Sequence, residues 1–156
     1  MEAFLAFKYV HVVAMFFAIA LALSTEQVVR RIAASADPRS IQTAVERSES
    51  LTKLSDALFG IGIVAGVVAA ITGNMNLLAP WLVLSYLAVA AAFAIGMRVI
   101  APWSKRLHAA AAASPDGGAS AELRSVIDDA GARAGSWALV GLIALLVFLM
   151  VVQPFA

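Results

Sequence analysis

The chain has 156 residues, 62% of them apolar and 13% charged, with a formal net charge of +1 and no cysteine. An ordinary soluble domain is about 45–50% apolar and about 25% charged, so this chain lacks the charge to clothe a soluble surface. The same figures exclude a disordered chain, a disulfide scaffold and, in the absence of a basic stripe, a nucleic-acid binder.

Mean hydropathy is +0.91, and the charges are segregated. Nineteen of the 21 lie in residues 26–56 and 98–133, the others being Glu2 and Lys8, while 57–97 and 134–156 carry none. A membrane-crossing helix needs about 20 mostly apolar residues. The first predicted span runs from about Phe4 to Leu23. The uncharged middle stretch is too long for one crossing and breaks at Gly73-Asn74-Met75-Asn76, ahead of Ala79-Pro80, giving spans at about 57–73 and 80–100. The fourth covers about 136–153. The fold class expected is all-α: an integral membrane four-helix bundle of two long hairpins in one transmembrane domain.

Ten of the eleven Lys and Arg residues fall in the links 24–56 and 101–135 or at their edges, and the 73–80 turn carries none. The positive-inside rule then places both links in the cytoplasm and both termini outside. Trp81 is expected at the outer interface, and Trp103 and Trp137 at the inner one. A cleaved signal peptide is the rival reading of the first span, since Ala18-Ile-Ala20 and Ala20-Leu-Ala22 resemble small-residue cleavage sites. The Met-Glu start, the single basic residue and the long apolar run speak against it.

The links read as helical extensions. Glu26/Arg30, Glu49/Lys53 and Asp129/Arg133 are acid-before-base pairs at i,i+4. Asp37-Pro38 reads as an N-cap and first helical residue. Leu123, Val126, Ile127, Ala130, Ala134 and Trp137 form one apolar stripe leading into the fourth span. Residues 114–118, Ser-Pro-Asp-Gly-Gly, form the expected flexible tip. Two short matches at offsets of 75 and 77 (Arg30–Ala33 with Lys105–His108, Ala44–Ser48 with Ala121–Ser125) are compatible with a parallel repeat.

Small residues mark helix-packing seams: Gly62, Gly66 and Ala70 in the second span, and Ala88, Ala92 and Gly96 in the third. In the first span Lys8, His11, Met15, Ala18, Ala22 and Thr25 recur at steps of three and four, so one face is polar or small along its length. His11 sits seven residues in from Phe4, about 10 Å below the outer surface. Ser85 and Tyr86 reach a similar depth in the third span, with Met150, Thr72, Asn74, Asn76 and Gln153 in the same outer half. His11, Lys8, Met15, Ser85, Tyr86 and Met150 are the ligand or metal candidates. The plain alternatives are that Lys8 snorkels, that His11 hydrogen-bonds Tyr86 or Ser85, and that Met15 is core. Catalytic residues are not identifiable: there is no Cys, no Ser-His-Asp arrangement and no paired intramembrane carboxylate. His108 belongs to the inner side, about 30 Å from His11 on this topology, which excludes a two-His haem or metal site within one chain.

The run Lys8-Tyr9-Val10-His11-Val12-Val13-Ala14 resembles the first helix of small bacterial inner-membrane proteins near the copper-resistance protein D superfamily, in particular their uncharacterised branch of predicted integral membrane proteins. The fuller pattern adds Trp and then Gly after the His, where this chain holds Met15, Phe16, Phe17 and Ala18. The resemblance implies the bacterial inner membrane and either copper handling or haem chemistry, with His11 as a ligand and Lys8 beside it. The reading expected is a His-centred outer-leaflet pocket for copper, haem or a small ligand, more in keeping with a non-enzyme than an enzyme. The alternative is a non-catalytic scaffold or accessory subunit, embedded in the lipid bilayer and assembling with a second copy or with a membrane-complex partner. A transporter fits less well, because no span is broken mid-membrane and no internal acid lines a path.

Overall fold

A computed structural model of the chain describes residues 1–115 and 118–154, so the centre of the expected tip, Asp116-Gly117, lies outside the described residues. Every regular element among the described residues is helical. Four helical stretches there are long and apolar enough to cross a membrane: Glu2–Ala33, Pro38–Thr72, Pro80–Ala112 and Ala121–Val152. Their outer faces stay apolar, with Phe16, Val64, Leu87 and Val151 all more than 60% exposed. Water would not tolerate that much continuous apolar surface; lipid does. The chain divides into two compact units, Met1–Asn76 and Leu77–Ala156.

The first unit is a hairpin of two unbroken helices, α1 (Glu2–Ala33) and α2 (Pro38–Thr72). At 1.5 Å per residue each is about 50 Å long, well beyond the roughly 30 Å hydrocarbon layer, so both carry their helix out through the charged link. The turn between them holds Ala36 at φ 54°. Asp37 then caps α2 by accepting from the Ser40 N–H at 3.1 Å, with Pro38 in the first turn, as the sequence predicts. The seam is built from Ala14, Ala18, Val29 and Ala33 on α1 against Ile41, Val45, Ser55, Gly62, Ala65 and Ala69 on α2. Small residues at the interface bring the backbones close enough for side chains to reach the facing carbonyls. Ser55, 2% exposed, donates across to the Ala18 carbonyl at 2.9 Å.

The second unit pairs a segmented leg with another. α3 (Pro80–Ile95) passes through a π-helical turn at Gly96–Ile100 into α4 (Ala101–Ala112). Pro102 explains the wide turn: its ring crowds the carbonyl four residues back and it has no N–H to donate, so the helix loosens ahead of it rather than breaking. The return leg is α5 (Ala121–Ile127) and α6 (Ala130–Val152). Ser120 caps α5 by accepting from Leu123 N–H at 3.1 Å. Trp81, Leu82 and Leu149 form a buried cluster where α3 meets α6. Gly135 lies so close to Val99 that a Cβ there would stand 2.9 Å from its methyl.

Three expectations about the links need correction. The stripe into α6 is not continuous: the helix ends at Asp128, and Asp129 starts a new one by accepting from Ala132 N–H at 2.9 Å. Leu123 and Val126 are buried before the break, but after it the buried face is Ala132, Gly135 and Ser136, while Trp137 is 72% exposed. Asp129 accordingly pairs not with Arg133 but with Arg106 of α4 at 2.7 Å, because a capping side chain points back from its helix start toward α4. Glu26–Arg30 does form, at 2.9 Å, whereas Glu49 and Lys53 stay exposed without closing a pair. Trp81 and Trp103 pack against the protein, 7% and 2% exposed. The Trp103 indole N–H donates to the Val126 carbonyl at 2.9 Å and ties α4 to α5.

Candidate ligand site at His11

The polar face of α1 packs on α2 from His11 inward. His11 Nδ1 lies 2.6 Å from the Gly62 carbonyl oxygen. A carbonyl only accepts, so Nδ1 carries a proton; in the tautomer this bond selects, Nε2 is the nitrogen left with the lone pair. Gly66 makes this possible, since a Cβ there would stand 2.6 Å from Nδ1 and 2.9 Å from Cε1. One turn on, Met15 fills the corresponding space at Gly62, its sulfur 2.7 Å from where a Cβ would be. Two glycines of the predicted seam are thus the seats of His11 and Met15, two of the three α1 side chains singled out from sequence.

Nε2 of His11 has no partner among the described residues, and no fully buried side-chain nitrogen or oxygen there lacks one, so Nε2 lies on accessible surface. An imidazole whose Nδ1–H is held by a backbone carbonyl while Nε2 is open has the arrangement of a metal-ligating histidine, in which the carbonyl fixes ring orientation and tautomer. Lys8 is exposed, with its ammonium 5.6 Å from the centre of the Phe4 ring, a cation–π contact at the outer end of α1.

The remaining candidates lie in the second unit and are occupied by their own helices or face outward. Ser85 is buried and donates to the Trp81 carbonyl at 2.8 Å. Tyr86 is 46% exposed and Met150 37% exposed. The hydrogen bond that His11 makes within the first hairpin is to the Gly62 carbonyl. Of the third-span seam, Ala88 is buried and Ala92 half-buried, while Gly96 has open space where a Cβ would go. Thr72 donates to the Val68 carbonyl at 2.8 Å, within α2.

The donor set decides which group the site fits. Among the described residues no three His, Cys, Asp or Glu side chains come together. Met15 is the nearest soft donor in sequence, but its sulfur is seated on Gly62. One imidazole nitrogen is what remains. Within the first hairpin, that single donor suits an iron whose macrocycle supplies four nitrogens of its own better than a bare copper ion.

Ser55 is the residue that sequence reading missed. It lies seven positions before Gly62 on the same helix face, and extending the small-residue stripe back by two turns would have found it. Comparison with protein-family models, curated proteins and solved structures finds no match to this chain.

Proposed function

We propose that the chain is a multi-pass membrane protein, with both termini outside, whose first helix offers His11 Nε2 as a single imidazole ligand to a haem-type iron near the outer surface. The Nδ1–H bond to Gly62 carries this reading, because it fixes the tautomer that ligation needs. The placing of Lys and Arg supports the orientation, and the likeness of the first helix to proteins near the copper-resistance protein D superfamily supports both the ligand class and a bacterial inner-membrane location. When bound, such an iron supplies electron-transfer or ligand-binding chemistry. The protein's own part is to orient the imidazole through Gly62, to admit it through the missing side chain of Gly66 and to keep the site in an apolar surround.

A second reading is favoured by the same contacts. His11 and Met15 fill the two glycine seats, so they also serve as a clasp between α1 and α2 in a non-catalytic scaffold or accessory subunit whose exposed apolar faces meet a membrane partner or a second copy. The two readings separate in one experiment. The chain is purified in mild detergent, its absorption spectrum and metal content are recorded, and both are repeated with His11→Gln and His11→Ala. Glutamine still donates to the Gly62 carbonyl but ligates iron poorly. A haem spectrum lost in both variants is the expected result. A colourless, metal-free wild-type protein that is destabilised by His11→Ala and rescued by His11→Gln would establish the scaffold instead.

A further inference from the structure

At the far end of the first hairpin, away from His11, α1 and α2 enclose an open groove of about 820 Å³. Its residues include Arg31, Arg39 and Arg47, and no carboxylate is among them. That is a selection, because Glu26, Asp37, Glu46, Glu49 and Asp56 belong to the same stretch of hairpin and none of them lines it, Asp37 capping α2 beside Arg39 at the turn end. Glu26 is half-buried and bonded to Arg30 instead. On α2 the spacing Arg39, Thr43, Arg47 keeps one face, each residue four positions on from the last. Arg31 stands on the opposing wall. Neither Arg31 nor Arg47 has a carboxylate within ion-pair distance among the described residues, and both are exposed.

The groove is also graded along its length. Leu21 and Leu51 line it at the end nearest the uncharged stretches, and Ser35, Arg39 and Ser40 at the end nearest the turn. From Leu21 to Arg31 is ten residues, about 15 Å of helix. Side chains lean toward the N-terminus of their helix, so Arg31 leans back toward the apolar stretch of α1, and Arg39 and Arg47 of α2 lean toward the turn. An apolar end at the membrane and a guanidinium end just beyond it match an anionic phospholipid: acyl chains beside the leucines, phosphate among the arginines. Arginines kept only to set topology need to be near the membrane; they have no reason to converge on one groove and exclude acids from it. Guanidinium forks bind phosphate oxygens in pairs, and hydroxyls such as Ser40 and Thr43 add further donors.

We infer that the Arg31–Arg39–Arg47 groove is a binding site for the phosphodiester headgroup of an anionic phospholipid. The inference is independent of His11 and survives whichever reading of that residue holds.

The test uses the full chain in detergent micelles titrated with phosphatidylglycerol, phosphatidylcholine or inorganic phosphate, with bound lipid counted by native mass spectrometry. Wild-type protein is expected to retain phosphatidylglycerol in preference to phosphatidylcholine and to be unaffected by millimolar phosphate. Each arginine neutralised should weaken retention roughly five-fold, so Arg31→Gln with Arg47→Gln should weaken it about 25-fold. Arg124→Gln, which removes an exposed charge from α5 outside the groove, should leave it unchanged. Equal retention of the two lipids, or undiminished retention in the double variant, would overturn the proposal. Release of the lipid by inorganic phosphate would reassign the groove to a free anion. If the double variant does not purify folded, Arg47→Gln alone decides, on the presence or absence of a five-fold loss.

Discussion

His11 of α1 donates through Nδ1 to the carbonyl oxygen of Gly62 on α2, 2.6 Å away, at the place where Gly66 has no side chain to block it. Two turns inward the direction reverses, and Ser55 of α2 donates to Ala18 of α1. Two side-chain-to-backbone bonds running opposite ways hold the hairpin in register, so sliding one helix past the other would break both. Such interhelical bonds are individually worth about 0.6 kcal/mol in a membrane, with maxima near 2. Their value here is positional: they fix which atom of His11 faces out.

The two glycine seats should respond differently to an added methyl group. At Gly66 the methyl meets a rigid ring held by a hydrogen bond, whereas at Gly62 it meets the flexible thioether of Met15. Gly66→Ala should destabilise the protein by about 1–3 kcal/mol and expel the imidazole from its bond, and Gly62→Ala should cost less. Thermal unfolding in detergent measures the first effect. The His11 ring signals in a nitrogen-resolved NMR spectrum report the second, through loss of the Nδ1–H tautomer in Gly66→Ala only.

Ala36 supplies a prediction of opposite sign. It holds φ 54° in the turn between α1 and α2, a left-handed conformation that costs an L-residue with a Cβ about 1–2 kcal/mol. Glycine adopts it freely but loses more chain entropy on folding. Ala36→Gly should therefore be stabilising, by about 0.5–1 kcal/mol, seen as a raised thermal midpoint. A lowered midpoint would show that the turn does not hold this geometry. Asn74, at φ 50° in the 73–80 turn, needs no such relief, because asparagine tolerates the same region.

Periodicity and charge placement made the first hairpin legible before its structure was described. Steps of three and four put His11, Met15 and Ala18 on one face, and the Gly62/Gly66 spacing marked a packing seam without naming its partner; His11 and Met15 fill it. Asp37-Pro38 marked the start of α2 because capping chemistry is local. The second hairpin was less legible for physical reasons. Asp128 and Asp129 are adjacent, and either an i,i+4 pair with Arg133 or a helix start suits the same letters; the choice depends on Arg106, which is distant in sequence and close in space. Trp103 reads as an interfacial residue from its place at the end of the third span, and its bond to the Val126 carbonyl across the α4–α5 turn has no sequence signature. His11 fell between these cases: its inward face was visible in the spacing, but its partner, a backbone carbonyl, has no sequence signature.

The Trp103 bond can be tested in isolation. Trp103→Phe keeps an aromatic ring in the buried site and removes the indole N–H, so the Val126 carbonyl keeps only the weaker 3.3 Å contact from the Asp129 N–H. The expected loss is about 1 kcal/mol for the hydrogen bond. Trp103→Ala should cost about 3–5 kcal/mol, because the cavity is then added. If the two variants unfold at the same temperature, the ring contributes nothing beyond its N–H, and the burial of Trp103 is wrong.

Acid should weaken the helix starts in a defined direction. Hydrogen bonds from the side chain and backbone of Ser40 hold the Asp37 carboxyl below its ordinary value near 3.8. At Asp129, which precedes the uncharged stretch of α6, the Ala132 N–H does the same, followed by the Arg106 guanidinium. A carboxyl depressed in the folded state stabilises fully above its ordinary value, and that contribution is lost as pH falls through the depressed one. Stability should be level from neutral pH to about 5 and decline below 4. Asparagine retains N-cap ability without titrating, so Asp37→Asn with Asp129→Asn should reduce the decline between pH 4 and pH 2. An undiminished decline in that variant would place the acid sensitivity elsewhere.

The proposed orientation has its own test, which the absence of native cysteine makes clean. Ser35→Cys introduces a thiol at the exposed α1–α2 turn, and Asn76→Cys one in the uncharged 73–80 turn. Both positions are exposed, so neither substitution disturbs the buried seams. If basic residues are retained in the cytoplasm, a membrane-impermeant maleimide added to intact cells should label position 76 and spare position 35 until the cells are opened. The reverse pattern would turn the protein over. His11 would then lie near the cytoplasmic surface, and the arginine groove would face the outer leaflet. Labelling at both positions in intact cells would mean that the hairpin of α1 and α2 does not cross the membrane, and the multi-pass reading would fail with it.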